Sequence, residues 1–178
     1  MGSIFITKIT SKEELAGHSC GVDCVDGMIA SSFFPNIYRQ QDTYKIVYKN
    51  RIVGFYAIKI KAINCWDSEA EFAEYFDGEP SFGVVYVKYL GIDAEFQGCG
   101  LGKCALGYIV STAYEEAKTL PIRLIVFNAL RDKVPYYKNR GFMVLKEKEY
   151  QGNSDTVEMF FDLMPDEEFE RVKSLSLE

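Results

Sequence analysis

The stretch from Val84 to Lys103 constrains this chain more than any other. Its first half, Val84-Val85-Tyr86-Val87-Lys88-Tyr89-Leu90, is β-branched and aromatic with no proline, the makings of a strand. Gly98, Gly100 and Gly102 then crowd into a turn, and from Leu101 onward Cys104, Ala105, Tyr108, Ile109 and Thr112 recur at helical spacing. A strand, a glycine turn and a helix together make an anion site. The first backbone N–H groups of a helix lack partners within it, and the macrodipole adds partial positive charge there. Glycines let a phosphate reach the backbone with no Cβ in the way.

Spacing decides which phosphate loop this is. A G-x-x-x-x-G-K-[ST] loop is excluded, because Gln97 stands where the first glycine belongs and Cys104 where the magnesium-binding hydroxyl belongs. A G-x-G-x-x-G dinucleotide loop fails from Gly98, whose last position is Lys103, and from Gly100, which is followed by Cys104 and Ala105. Gln97-Gly98-Cys99-Gly100-Leu101-Gly102 instead resembles the Q/R-x-x-G-x-G/A pyrophosphate loop of the GNAT superfamily of N-acetyltransferases. The strand before it resembles that family's fourth strand, and Arg51-Ile52-Val53-Gly54-Phe55 resembles its third.

The rest of the chain fits an α/β layout. Ile4 to Ile9 reads as a strand, and Ser11 with Glu14 as a capping box. Val22, Val25 and Ile29 mark a helix ending near Phe33-Phe34-Pro35. Tyr44 to Lys49 and Arg51 to Ala62 form a hairpin turning at Lys49-Asn50. Pro121 opens a strand, Ile122 to Phe127, that ends at Asn128, and Ala129 to Asn139 is a helix closed by Gly141 as a left-handed cap. Phe142 to Lys148 and Thr156 to Leu163 pair through a polar Gln151-Gly152-Asn153-Ser154 turn, and a helix covers Asp166 to Leu175. At 178 residues this reads as one domain, 1–178, carrying an acidic and aromatic insertion at 64–83. There Asp67, Glu69, Glu71, Glu74, Asp77 and Glu79 are interleaved with Trp66, Phe72, Tyr75 and Phe76, read as a solvated face over core aromatics, the alternative being a wall of the acceptor pocket that selects a positively charged substrate. The resemblance implies the acyl-CoA N-acyltransferase fold, a mixed and mostly antiparallel sheet flanked by helices.

Composition narrows the function classes. A net charge of −6 and a pI near 5.0 speak against nucleic acid held on a broad basic face, and fit an amine-bearing acceptor. No apolar run reaches a membrane span and no signal peptide is visible, so a cytoplasmic protein is expected. The cysteine count is odd, with Cys20, Cys24, Cys65, Cys99 and Cys104, which predicts free thiols. His18, Cys20 and Cys24 are suitably typed for zinc, but no fourth ligand is evident and His18 is the only histidine. No metal site is therefore assigned.

Acetyl transfer from acetyl-CoA to an amine asks for a pyrophosphate anchor, an aligned thioester, a polarised carbonyl and an acid for the thiolate. The resemblance assigns the anchor to the backbone from Gln97 through Lys103, with Lys103 adding charge. It assigns the thioester to the strand end Leu90-Gly91-Ile92, where a main-chain N–H meets the carbonyl. Asn128 resembles the family's polar contact to the pantetheine. Pro135-Tyr136-Tyr137-Lys138-Asn139-Arg140-Gly141-Phe142 resembles its "x-x-f-Y-x-x-x-G-F" signature, which makes Tyr137 the acid and a coenzyme contact. The base is not legible, because Tyr86 occupies the position where several members carry a glutamate. Asp93, Glu95 and the insertion carboxylates are substitutes without a spacing argument, water could serve, and Cys99 reads as loop filling rather than an activated thiol. Cys20-Gly21-Val22-Asp23-Cys24-Val25-Asp26 loosely resembles the "d-C-G-x-x-x-l-D" opening of GNAT toxins that acetylate charged tRNA. The main expectation is an acetyltransferase acting on an amine of a small molecule, peptide or protein. The alternatives are a toxin acetylating aminoacyl-tRNA and a non-catalytic acyl-CoA-binding module, with a homodimer left open.

Overall fold

A computed structural model describes residues 3–64, 81–145, 152 and 154–164 of the chain. The element order is β1 (Ile4–Lys8), a 3-10 turn at Lys12–Leu15, α1 (Asp23–Ala30), α2 (Phe33–Ile37), β2 (Asp42–Tyr48), β3 (Arg51–Asn64) and β4 (Ser81–Ile92). A 3-10 turn at Ala94–Phe96 leads to α3 (Leu101–Ala117) and β5 (Ile122–Leu130). After a further 3-10 turn come α4 (Val134–Lys138), β6 (Met143–Val144) and β7 (Thr156–Asp162). The seven strands form one sheet in the order β1-β2-β3-β4-β5-β7-β6, the mixed α/β architecture that the sequence implied. Packing divides the chain into two compact units, Met1–Ile60 with Tyr86–Thr112 and Lys61–Val85 with Ala113–Glu178.

In the first unit β1, β2 and β3 form an antiparallel meander. The β2–β3 turn is tight because Lys49 and Asn50 both adopt left-handed backbone, at φ 51° and 59°, which matches the twist of the flanking strands. Along β3, Val53, Phe55, Tyr56 and Ala57 are all buried, each at most 2% exposed. Phe55 and Ala57 meet Ile9, Leu15, Ile29 and Tyr89 in a core against which Val25, Met28, Phe33 and Ile52 pack. Ser32 ends α1 early, splitting the single helix expected before Pro35 into α1 and α2. Its hydroxyl bonds Met28 O at 2.7 Å and lies 2.6 Å from the buried Tyr89 hydroxyl. The expected capping box is absent. Ser11 makes no side-chain cap, and the Glu14 carboxylate instead accepts from Thr10 N–H at 2.9 Å and from Lys45.

In the second unit β5 pairs with β7 from Leu124↔Asp162 to Leu130↔Thr156. Leu124, Ile125 and Val126 are fully buried in a row, the continuous apolar run of a strand covered on both faces. The sequence had Ala129 begin a helix. Ala129 and Leu130 instead extend β5, because Val157 and Thr156 are there to pair with them. The antiparallel pair of β6 and β7 is present, with Met143↔Phe160 and Val144↔Met159. Of the expected 64–83 insertion, Ser81 to Gly83 belong to β4, while residues 65–80 lie outside the described residues, as do residues 146–148 of the expected strand, residues 151 and 153 of the turn and the terminal helix.

Candidate functional site

The loop after β4 is built to present backbone. Gly98 and Gly100 have φ of +76° and +81°, which only glycine adopts without strain, and a Cβ at either position would meet nothing within 4 Å. Both glycines and Cys99 are exposed. The first helical hydrogen bond runs from Cys104 N–H to Gly100 O at 3.1 Å, so the N–H groups of Leu101, Gly102 and Lys103 lie ahead of the α3 ladder. Leu101 is 3% exposed and, with Ala105, Leu106 and Ile109, anchors the helix. Cys104 and Tyr108, expected on that inner face, are exposed, and Leu106 takes the place instead. Lys103 is exposed on the first turn, where its charge adds to the helix dipole.

Gln97 does more than open the motif. Its side-chain Nε2 donates to Cys20 O at 2.7 Å and to Ile92 O at 2.9 Å. A second link joins the same partners, since Ala94 N–H donates to Ser19 O at 3.0 Å and Ser19 N–H to Asp93 Oδ1 at 3.0 Å. The segment 18–20 is thus a strap laid along the loop. It is tightened by Asp26, which accepts Cys20 N–H at 2.8 Å and the Ser19 hydroxyl at 2.9 Å. The Cys20 thiol and N–H and the Ser19 hydroxyl hold the Asp26 carboxyl below its usual range. Sequence reasoning missed this strap. Its signal was the loose "d-C-G-x-x-x-l-D" pattern, whose aspartate is the strap's own acceptor.

The strand end is tightly packed. Gly91 is buried, Ile92 is 9% exposed and Leu90 is half-buried. Gly54 on β3 is required by this approach, since a Cβ there would stand 2.5 Å from Gly91 O. On its other side Gly91 is covered by α1, with Ile29 Cδ1 2.9 Å and Val25 Cγ1 3.2 Å from where its own Cβ would be. The substitute bases are engaged elsewhere. Asp93 takes Ser19 N–H, and the exposed Glu95 lies 3.6 Å from the Arg51 guanidinium.

In the second unit, α4 is five residues long and its two tyrosines part company. Tyr137 is half-buried between Phe127, at 4.6 Å between ring centroids, and Phe142 at 5.9 Å. Burial pushes its phenol up to about 12, so the hydroxyl stays protonated through the physiological range. Tyr136 is exposed and lies under the Arg140 guanidinium at 3.5 Å. Gly141 turns the chain at φ +82°, as its capping role requires, and Phe142 N–H bonds Tyr137 O at 3.2 Å. Asn128 is exposed within β5, opposite Glu158, and not at the strand end where the sequence placed it.

No protein-family model matches the chain. No curated protein matches its sequence. Solved structures do match. A structure described as a bacterial toxin superposes with a TM-score of 0.72 at 15% identity, covering 97% of both chains. A tyrosine-to-phenylalanine mutant of KacT gives 0.75 at 16% identity, covering 97% of this chain and 98% of that one. AtaT complexed with acetyl-methionyl-tRNAfMet gives 0.73 at 16% identity, covering 96% and 99%. This chain therefore has the fold of these toxins, over nearly its whole length.

Proposed function

We propose that this protein is an acetyl-CoA-dependent N-acetyltransferase whose acceptor is the amine of an aminoacyl-tRNA. The observation that carries the acetyl-CoA half is the loop, with Gly98 and Gly100 in left-handed backbone, open space over both, and the first α3 N–H groups behind them. These features suit the pyrophosphate, and matching folds have been solved with acetyl-CoA, including AtaTR. Gln97 through Lys103 would hold the pyrophosphate, Leu90 to Ile92 would line the pantetheine and thioester, and Asn128 would contact the pantetheine. Tyr137 would donate to the departing thiolate. Its phenol is protonated up to about 12, as an acid in this role must be.

The acceptor rests on the neighbours. AtaT has been solved with acetyl-methionyl-tRNAfMet and KacTA with DNA, which weighs against the exclusion of nucleic acid drawn from net charge. A net charge describes the whole molecule, whereas RNA recognition needs only local contacts. An antitoxin-like protein partner is part of the same reading, since AtaT is also known bound to the C-terminus of AtaR. A small-molecule or peptide amine is the second reading.

The test is acetyl transfer from labelled acetyl-CoA to a mixed pool of charged tRNA, beside free amino acids, polyamines and peptides. Label retained on the aminoacyl end supports the reading. Label on free amines alone supports the second reading, and none on any acceptor contradicts both.

A further inference from the structure

We infer that His18, Cys20 and Asp26 form a site for a thiophilic divalent cation of the zinc class, set into the strap beside the strand end. One ligand atom from each residue, a ring nitrogen, a thiol sulfur and a carboxylate oxygen, lies within 4.8 Å of the other two. A second observation points at the same place. The His18 side chain is only 3% exposed, and neither ring nitrogen has a hydrogen-bond partner among the described residues. Nδ1 lies 3.2 Å from Asp93 Oδ1 but off the line of a hydrogen bond, and that oxygen already takes Ser19 N–H. A buried imidazole with both nitrogens unmet costs free energy in a folded chain, and ligation removes that cost.

The donor set selects the ion. Nitrogen, sulfur and oxygen from three side chains suit Zn2+ and its surrogate Co2+, whereas Mg2+ and Ca2+ call for oxygen alone. Asp26 can serve although both its oxygens accept hydrogen bonds, because each keeps a further lone pair, and those bonds fix its orientation. Asp26 is half-buried and Cys20 is 7% exposed. Three protein ligands leave one tetrahedral position for water or another donor. On binding, the Cys20 S–H bond breaks, sulfur donates its electron pair to the metal, and the proton leaves to solvent.

The geometry revises the grouping suggested by sequence. Cys24 is exposed and outside the cluster, and Asp26 stands in its place. His18 Nε2 lies 3.4 Å from where a Gly91 Cβ would be, so a bound ion would tie the strap to β4. This inference does not depend on the acceptor or on acetyl transfer.

The experiment uses the full chain with Cys24, Cys65, Cys99 and Cys104 replaced by serine, which leaves Cys20 as the one thiol. Co2+ is titrated in, and thiolate-to-metal charge transfer is read by absorbance. Zn2+ is then added in competition, and metal content is measured after gel filtration. One equivalent of Co2+ with a thiolate band, displaced by Zn2+, is expected, with Tm rising as Zn2+ is added. His18→Gln, Cys20→Ser and Asp26→Asn should each weaken Zn2+ by roughly 100-fold or more, since even the partners of ligands change affinity about 10–100-fold. Folding of each variant is checked by circular dichroism. Should a variant not fold, the parent's charge-transfer band and 1:1 stoichiometry decide alone. No thiolate band in the folded parent, or Zn2+ binding unchanged in a folded Cys20→Ser variant, overturns the inference.

Discussion

Replacing Gly100 by alanine separates the two things a glycine does in this loop. Its φ is +81°, and that of Gly98 is +76°. An L-residue in left-handed backbone costs about 1–2 kcal/mol. A Cβ at either position meets no atom within 4 Å, so neither change adds a clash. Gly100→Ala and Gly98→Ala should therefore lower stability alike. At about 2–4 °C per kcal/mol for a chain of this length, the fall in Tm is roughly 2–8 °C. Binding should differ. On the proposed binding mode the new methyl at Gly100 would stand where the pyrophosphate meets the backbone, and a lost charge-assisted hydrogen bond is worth about 1.5–3 kcal/mol. Acetyl-CoA should then bind roughly 10- to 150-fold more weakly to Gly100→Ala than to wild type, and Gly98→Ala, at a variable position of the motif, should lose less. Isothermal titration calorimetry gives both constants, and thermal unfolding gives both Tm values. Equal loss of binding in the two variants would mean that strain alone is being read. No loss in Gly100→Ala would reduce the loop to a turn.

Gln97→Glu should destabilise the strap and weaken acetyl-CoA, because a carboxylate would face the Cys20 and Ile92 carbonyls, whereas Gln97→Arg keeps a donor there and should bind within about threefold of wild type. Thermal unfolding and calorimetry on the pair check this. Gly54→Ala should cost at least about 1–3 kcal/mol by denaturant unfolding, since its Cβ would stand 2.5 Å from a backbone oxygen that cannot rotate away. The pH–rate profile should rise until the acceptor α-amine is neutral, at about 7.7–8.0, and then stay level to about pH 10. The acid works in its protonated form, and burial that raises the Tyr137 phenol to about 12 keeps it protonated across that range.

Much of the fold was legible because local and long-range signals agree. The Lys49-Asn50 turn, the β4 strand and the start of α3 at Leu101 each follow from residue types that tertiary packing then reinforces. The misses have physical causes. Ala129 and Leu130 read as helical alone, but β7 offers them hydrogen bonds. The single helix read up to Pro35 is divided at Ser32, whose buried hydroxyl bonds Met28 O and Tyr89. In the candidate site, the glycines and Tyr137 were singled out by their resemblance to family motifs. The strap was not, because residues 74 positions apart, Ser19 and Asp93, meet only in the folded chain.

The most direct test of the central claim is steady-state release of coenzyme A thiol from acetyl-CoA with charged tRNA as acceptor, on wild type and Tyr137→Phe. The phenylalanine keeps the ring that packs on Phe127 and Phe142 and removes only the hydroxyl. Wild type should turn over, and Tyr137→Phe should lose roughly 10-fold or more in kcat with its Kd for acetyl-CoA nearly unchanged, since the lost interaction belongs to the transition state. Tyr136→Phe, altered on the exposed ring, should behave as wild type. Acetyl-CoA binding without turnover on any amine would make this protein a binding module. Full kcat in Tyr137→Phe would contradict the assignment of the acid.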